Sequence, residues 1–259
     1  MTQKALQEYV VEKESIEHDV STLKKAPYNW FNLLESLPIE WMPYCEFLKE
    51  HSRELANGIN EFGRYIVSLQ AWKTVLNRLN NEERPLIVLD FIAPLATLCL
   101  NLPYALRSRF IYSIAHLSHQ ANRLWQYSWV DNLPIDEEIC FEQADSYGRP
   151  WKKYTKLKVA LEKISNTQYR KATHNFRNKY NHRYSPRIEI GMTELVKRNV
   201  NANGEVNYTI GFTKPLMLED IIPLLKEQHH LCLLAFEKYQ QLINEQLAMI
   251  TKRITSRSS

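Results

Sequence analysis

The sequence predicts an all-α protein, a multi-helix bundle with one β-hairpin inserted near residues 187–213. Three observations lead there. Apolar residues recur at i, i+3, i+4 and i+7 along most of the chain, the spacing that lines one face of a helix. Only 6 glycines occur in 259 residues, too few for a sheet-rich fold full of tight turns. One region alone switches to alternation. There Val206, Tyr208, Ile210 and Phe212 follow Asn203-Gly204, a dipeptide suited to a type I′ hairpin turn, and Ile188 and Ile190 alternate upstream.

From the N-terminus, residues 3–24 form a polar amphipathic segment. Residues 40–80 form a long amphipathic helix or a bent pair, with Phe47, Leu48, Leu55, Ile59, Phe62, Ile66, Leu69 and Leu76 as core. Pro85 opens the next segment, since proline suits a first helical turn. The most apolar stretch, Leu86 to Leu102, is short and carries Asp90 and Pro94, so it reads as a buried core helix and not a membrane span. Pro103 opens a helix over about 103–130. Pro134 and the acidic residues 136–138 begin a short helix or loop. Pro150 opens a long helical stretch that stops before Pro186, with Ser165-Asn166-Thr167 able to break it. A last helix covers about 219–252, with Glu219 and Asp220 near its positive end. With no repeat and no low-complexity linker, residues 1–259 read as a single helical domain.

Several classes of chemistry are excluded. The four cysteines (Cys45, Cys99, Cys140, Cys232) form no CxxC pair, and the chain has no GxSxG, Walker loop or GxGxxG. His116 and His119 are i, i+3 and His229 and His230 are adjacent, but no helix-spaced carboxylate completes a metal site; neither metal nor cofactor is implied. Trp125, Tyr127 and Trp129 read as a helix end packed into the core, although such rings can stack on bases. The N-terminus lacks the apolar run of a signal peptide, so the expected location is cytoplasmic, with no membrane partner.

Charge is more informative in its distribution than in its total. Between Tyr147 and Arg187 lie twelve Lys and Arg residues against one acid, Glu162, while the remainder of the chain carries 21 bases and 28 acids. Locally clustered bases suit a phosphate-bearing partner, because each phosphate neutralised releases counterions.

The end of this basic segment reads Tyr169-Arg-Lys-Ala-Thr-His-Asn-Phe-Arg-Asn-Lys-Tyr-Asn-His-Arg-Tyr184. On one continuous helix, Tyr169, Thr173, Phe176 and Tyr180 face the core, and His174, Asn178 and His182 form a second stripe at i, i+4, i+8 that Arg177 flanks. Arg177, Asn178, His182 and Tyr184 spell R-N-x3-H-x-Y. This resembles the HEPN superfamily, whose ribonuclease members carry R-x4-6-H. The longer form resembles HEPN toxins paired with nucleotidyltransferases that modify the tyrosine. Arg109 and His116, in RFIYSIAH, fit the looser spacing within a more apolar helix.

The resemblance implies a HEPN-like core over about 40–252, with residues 1–39 as an N-terminal helical extension. It implies a metal-independent endoribonuclease, a toxin or phage-defence effector. His182 would be the general acid/base, Arg177 would stabilise the phosphate, and Asn178 would orient the histidine or the substrate. His174, Lys179, Arg183, Tyr184, Lys171 and Arg170 are the expected RNA-binding residues. A homodimer is the implied assembly, and a cognate antitoxin or nucleotidyltransferase the implied partner. The alternatives are a non-catalytic HEPN nucleotide- or RNA-binding module and a helical protein-interaction domain.

Overall fold

The computed structural model describes residues 2–18, 24–33, 38–126 and 128–258. The chain is mainly helical with one two-stranded antiparallel hairpin. Its helices are α1 (Thr2–His18), α2 (Met42–Leu76), α3 (Glu83–Ile87), α4 (Ala93–Ala121), α5 (Phe141–Gly148), α6 (Tyr154–Lys163), α7 (Thr167–Ala172), α8 (Phe176–His182) and α9 (Leu218–Ser258). The hairpin pairs β1 (Val196–Val200) with β2 (Val206–Ile210). Two compact units divide the chain. The first comprises Met1–Leu23, Phe62–Leu102 and Asn166–Glu227; the second comprises Lys24–Glu61, Pro103–Ser165 and Gln228–Ser259.

Of the eight core residues expected in α2, Leu48, Leu55, Ile59, Phe62, Ile66, Leu69 and Leu76 are buried, and Phe47 is half-buried. Within the first unit, Tyr9 of α1 stacks on Trp72 at 4.3 Å between ring centroids, and Trp72 stacks on Phe91 at 5.3 Å. The 86–102 stretch is amphipathic and not wholly core. Ile87, Val88, Ile92, Ala96 and Cys99 are buried while Leu86, Leu89 and Leu98 are exposed. A π-turn at Val88–Ile92 joins α3 to α4, and among the described residues the run Glu83–Leu124 is the one helix long and apolar enough to cross a membrane.

The second unit is built around buried polar pairs set among aromatics. Tyr44 donates to Gln246 Oε1 at 3.0 Å, and Gln246 donates onward to Ser118 at 3.1 Å. The Ser113 and Tyr239 hydroxyls meet at 2.9 Å, with Phe110, Trp30 and Phe236 around the tyrosine ring. Each buried polar atom needs such a partner, because its hydration is lost on folding. Burial also pushes the Cys232 thiol well up and, in the first unit, pushes the Cys99 thiol up to about 12; both behave as small hydrophobes.

Two expectations need correction. Pro103 does not open a helix but lies inside α4. A proline there costs one backbone hydrogen bond, about 3 kcal/mol, which burial of Leu100, Leu102 and Leu106 around it offsets. The hairpin turn is not type I′, because Asn203 keeps a negative φ; instead Gly204 N–H donates to Asn201 C=O and Gly204 alone turns left-handed, at φ 84°. This is a type I turn closed by a glycine bulge, the usual three-residue connection. Every residue of β1 and β2 is exposed, so the alternating apolar side of the hairpin faces solvent.

Acid sensitivity follows from two histidines of the second unit. Burial pushes His51 down to about 4 against the smaller opposing pull of Asp136, and pushes His229 down to about 4 against a hydrogen bond to the Ile59 backbone. The unfolded chain takes up these protons near the ordinary histidine value, while the folded chain refuses them until much lower pH. Stability is therefore expected to be intact above pH about 6.5 and to fall continuously towards pH 4, by up to about 3 kcal/mol per histidine. Urea unfolding midpoints measured across that window test this. A flat profile would mean that neither imidazole is held neutral by the fold.

Candidate functional site

All nine sequence-predicted site residues lie in the first unit, between Asn166 and Glu227. They do not share one helix. The helical stretch is interrupted at Ser165, where φ is 50°, and, within the part expected to be one continuous helix, again at His174 and Asn175, where φ is 52° and 57°. The first interruption falls where Ser165-Asn166-Thr167 suggested it, and Asn166 caps α7 by accepting from Tyr169 N–H at 2.8 Å.

The second interruption corrects the i, i+4, i+8 stripe. Asn175 N–H donates to Arg170 C=O at 2.6 Å and His174 N–H to Lys171 C=O at 3.0 Å. This is a Schellman closure of α7, with His174 in the left-handed position that glycine ordinarily fills. His174 therefore precedes α8 and is not on it. Replacing it with glycine is expected to stabilise the protein by about 0.5–1 kcal/mol, since an L side chain is disfavoured there. His174→Ala, which keeps the Cβ, should leave the urea midpoint unchanged; a gain from alanine equal to that from glycine would refute the backbone explanation.

α8 is anchored by Phe176, which is buried, and starts directly after the left-handed Asn175, whose side chain makes no capping hydrogen bond. Tyr169 and Thr173 are also buried, as the helical face predicts. Tyr180 is not. It is 53% exposed and lies over Phe176 with ring centroids 5.9 Å apart. The chain bends at His174, so the face set by Tyr169 and Thr173 does not carry through to Tyr180.

The motif residues are presented outward. Asn178 and His182 sit one turn apart on α8, both exposed, with Arg177 half-buried beside them. Arg183 is exposed at the helix end, and Tyr184 is 82% exposed just beyond it. On α7, Arg170 and Lys171 are exposed, and Arg170 donates to the Thr167 hydroxyl at 3.1 Å.

Lys179 is committed elsewhere. Its ammonium lies 2.7 Å from Glu194, whose carboxyl it holds below the usual range with help from the Thr213 hydroxyl. Its charge is thus largely neutralised, and its contribution is to fix α8 against the segment leading into the hairpin.

The basic run is likewise parted between the units. Arg149 and Lys158 both pair with Asp145 at 2.7 Å in the second unit, while Arg170, Lys171, Arg177, Arg183 and Arg187 belong to the first.

The looser match, Arg109 and His116 on α4, belongs to a different environment. In the second unit, Arg109 lines a cavity of about 470 Å³ with His51, Tyr112 and Asp136. Tyr112 donates to Asp136 Oδ2 at 2.8 Å. His116 is buried, its ring 4.4 Å from that of Tyr112 and its Nε2 3.4 Å from Asp136 Oδ1 in poor alignment for a hydrogen bond. Burial lowers its pKa despite Asp136. His119 is buried too and meets Asp131 at 3.0 Å.

Pairwise spacing could not show that His51, sixty-five positions from His116, completes this cluster. Among the described residues no group of three or more His, Cys, Asp or Glu is placed to hold a metal ion. Comparisons with protein families, with curated proteins and with solved structures find no match to this chain.

Proposed function

We propose that the protein is a metal-independent endoribonuclease of HEPN type, acting through Arg177, Asn178 and His182. The observation that carries this reading is the outward presentation of Asn178 and His182 on a short helix seated by Phe176, with Arg177 half-buried beside them and Tyr184 exposed just past the helix end. Close by in the chain, the exposed Arg170, Lys171 and Arg183 add positive charge, while Lys179 is paired with Glu194. A buried histidine such as His116 reaches no polymer; an exposed one does.

RNA supplies its own nucleophile, the ribose 2′-oxygen. His182 takes the 2′-OH proton as that oxygen attacks the neighbouring phosphorus. The P–O5′ bond breaks, the leaving oxygen takes a proton, and the products are a 2′,3′-cyclic phosphate and a 5′-hydroxyl. Arg177 stays charged throughout and grips the phosphate oxygens as their negative charge grows. Asn178, one turn before His182, holds the imidazole or the ribose in place.

One copy of the motif offers a single exposed acid/base on α8, so the leaving-group proton calls for a second donor. A homodimer that brings two copies of α8 together supplies it. An RNA cognate to the site, and an antitoxin or nucleotidyltransferase acting at Tyr184, belong to the same reading.

The test is cleavage of single-stranded and structured RNA by purified protein in excess EDTA, with end-group analysis and sedimentation on the same sample. Cyclic-phosphate ends from a dimer support the reading. RNA bound with a steep salt dependence but never cut would replace it with a binding module.

A further inference from the structure

The second unit holds a cavity of about 620 Å³ whose walls are rich in tryptophan and arginine. Trp41, Trp125, Trp129, Arg123 and Arg253 line it, together with Glu40. The sequence suggested only a packed helix end here, and Tyr127 lies outside the described residues. Trp125 is not packed away. Its ring lies 5.7 Å from that of the buried Trp151, which fixes it, yet it remains 52% exposed.

Trp151 is itself held by a 2.9 Å hydrogen bond from its indole N–H to Asn122. Arg123 is fixed as well. Its guanidinium lies 4.1 Å from the Trp129 ring centroid and donates to the Glu40 carbonyl. Arg253, on α9, is exposed.

The chemistry of these walls selects a ligand class. Indole faces favour a flat aromatic partner, with stacking on a nucleobase typically worth about 1–3 kcal/mol. Two guanidinium groups against one carboxylate favour an anion, and a guanidinium matches phosphate with paired donors. The volume falls in the range of about 300–1,000 Å³ usual for small-molecule sites. A planar base joined to a phosphate meets all three conditions.

We infer that this cavity is a nucleotide-binding site, with the base stacked on Trp125 and the phosphate held by Arg253 and Arg123. The site lies in the other unit from the R-N-x3-H-x-Y motif and does not rest on the ribonuclease reading. Its ligand is either a free nucleotide or one nucleotide of a single-stranded RNA.

Calorimetric titration of the full chain tests the site with four probes: AMP, adenosine, ribose 5-phosphate and a short 2′-O-methyl oligoadenylate, which cannot be cut by attack of its own 2′-oxygen. AMP is expected to bind about tenfold or more tightly than adenosine or ribose 5-phosphate. Trp125→Ala should weaken AMP about tenfold or more, in line with the loss of one stacking contact. Trp125→Phe should restore most of it. Arg253→Ala should bring AMP down to the affinity of adenosine.

Both residues are exposed, so unchanged thermal melting of the variants separates loss of ligand from loss of fold. An oligoadenylate that binds more tightly than AMP, and is displaced by it, identifies RNA as the source; the reverse order identifies a free nucleotide. Absence of AMP binding at millimolar concentration, or an affinity indifferent to Trp125→Ala, overturns the assignment.

Discussion

RNA cleavage by His182→Ala is expected to fall about 10²–10⁴-fold in single-turnover assays, the usual contribution of one positioned acid/base. The side chain is exposed at the end of α8 and, among the described residues, makes no hydrogen bond or ion pair. Folding should therefore be unaffected to within about 0.5 kcal/mol. Arg177→Ala should cost about 10²–10³-fold by removing positive charge where the transition state gains negative charge. Because Arg177 is half-buried and engaged with its surroundings, that variant should also lose some stability.

Lys179→Ala is the informative control. It breaks the 2.7 Å pair with Glu194, so it should lower the melting temperature more than His182→Ala does while leaving the cleavage step nearly intact. Wild-type cleavage by His182→Ala would remove His182 from the chemistry.

The largest stability effect in the first unit is expected from Glu189. Its side chain is only 4% exposed, and its backbone is left-handed at φ 60°. One carboxylate oxygen accepts from Leu218 N–H, the first residue of α9, at 2.6 Å; the other meets Arg84 at 3.0 Å. Its own N–H donates to Leu216 C=O. A single carboxylate thus caps the positive end of the longest helix and neutralises an arginine from α3.

Glu189→Ala would leave a buried amide and a partly buried guanidinium without their acceptor. Loss of one partner from such a pair typically costs about 3–5 kcal/mol. Glu189→Gln, which keeps an acceptor for Leu218, should recover part of it. Chemical denaturation of the three proteins decides the matter, and a loss below about 1 kcal/mol for alanine would show that water replaces the carboxylate at both contacts.

The helical fold was legible because its signal is repetitive. In α2, ten turns of the same amphipathic spacing agree, and seven of the eight named core positions are buried. Single-residue signals did less well. Pro103 marks a local penalty, and only the burial of its neighbours shows that the helix runs through it. The Schellman turn at His174 uses no glycine, so nothing in the local sequence announces it. The turn Asn201-Ala-Asn-Gly204 offers two asparagines, and alternation cannot say which turn type wins.

The same distinction holds at the sites. R-N-x3-H-x-Y is contiguous and readable as a pattern, but the commitment of Lys179 depends on Glu194, fifteen residues away beyond Pro186. The tryptophan–arginine cavity gathers residues from positions 38–41, 123–129 and 253–254, and no window of sequence contains them together.

The hairpin is held by few contacts of its side chains, since both strands are exposed throughout. None of its ten strand residues is buried, and the turn stands open to solvent, with only the left-handed φ of 84° at Gly204 calling for glycine. The helical core of its own unit therefore sets little limit on how the hairpin's tip is written around that glycine. Selection can lengthen, recharge or rebuild it at little thermodynamic cost to the rest of the molecule. A scaffold of this kind can change whom it meets faster than it changes how it folds, and the same freedom makes the turn at Gly204 a natural point for attaching a reporter.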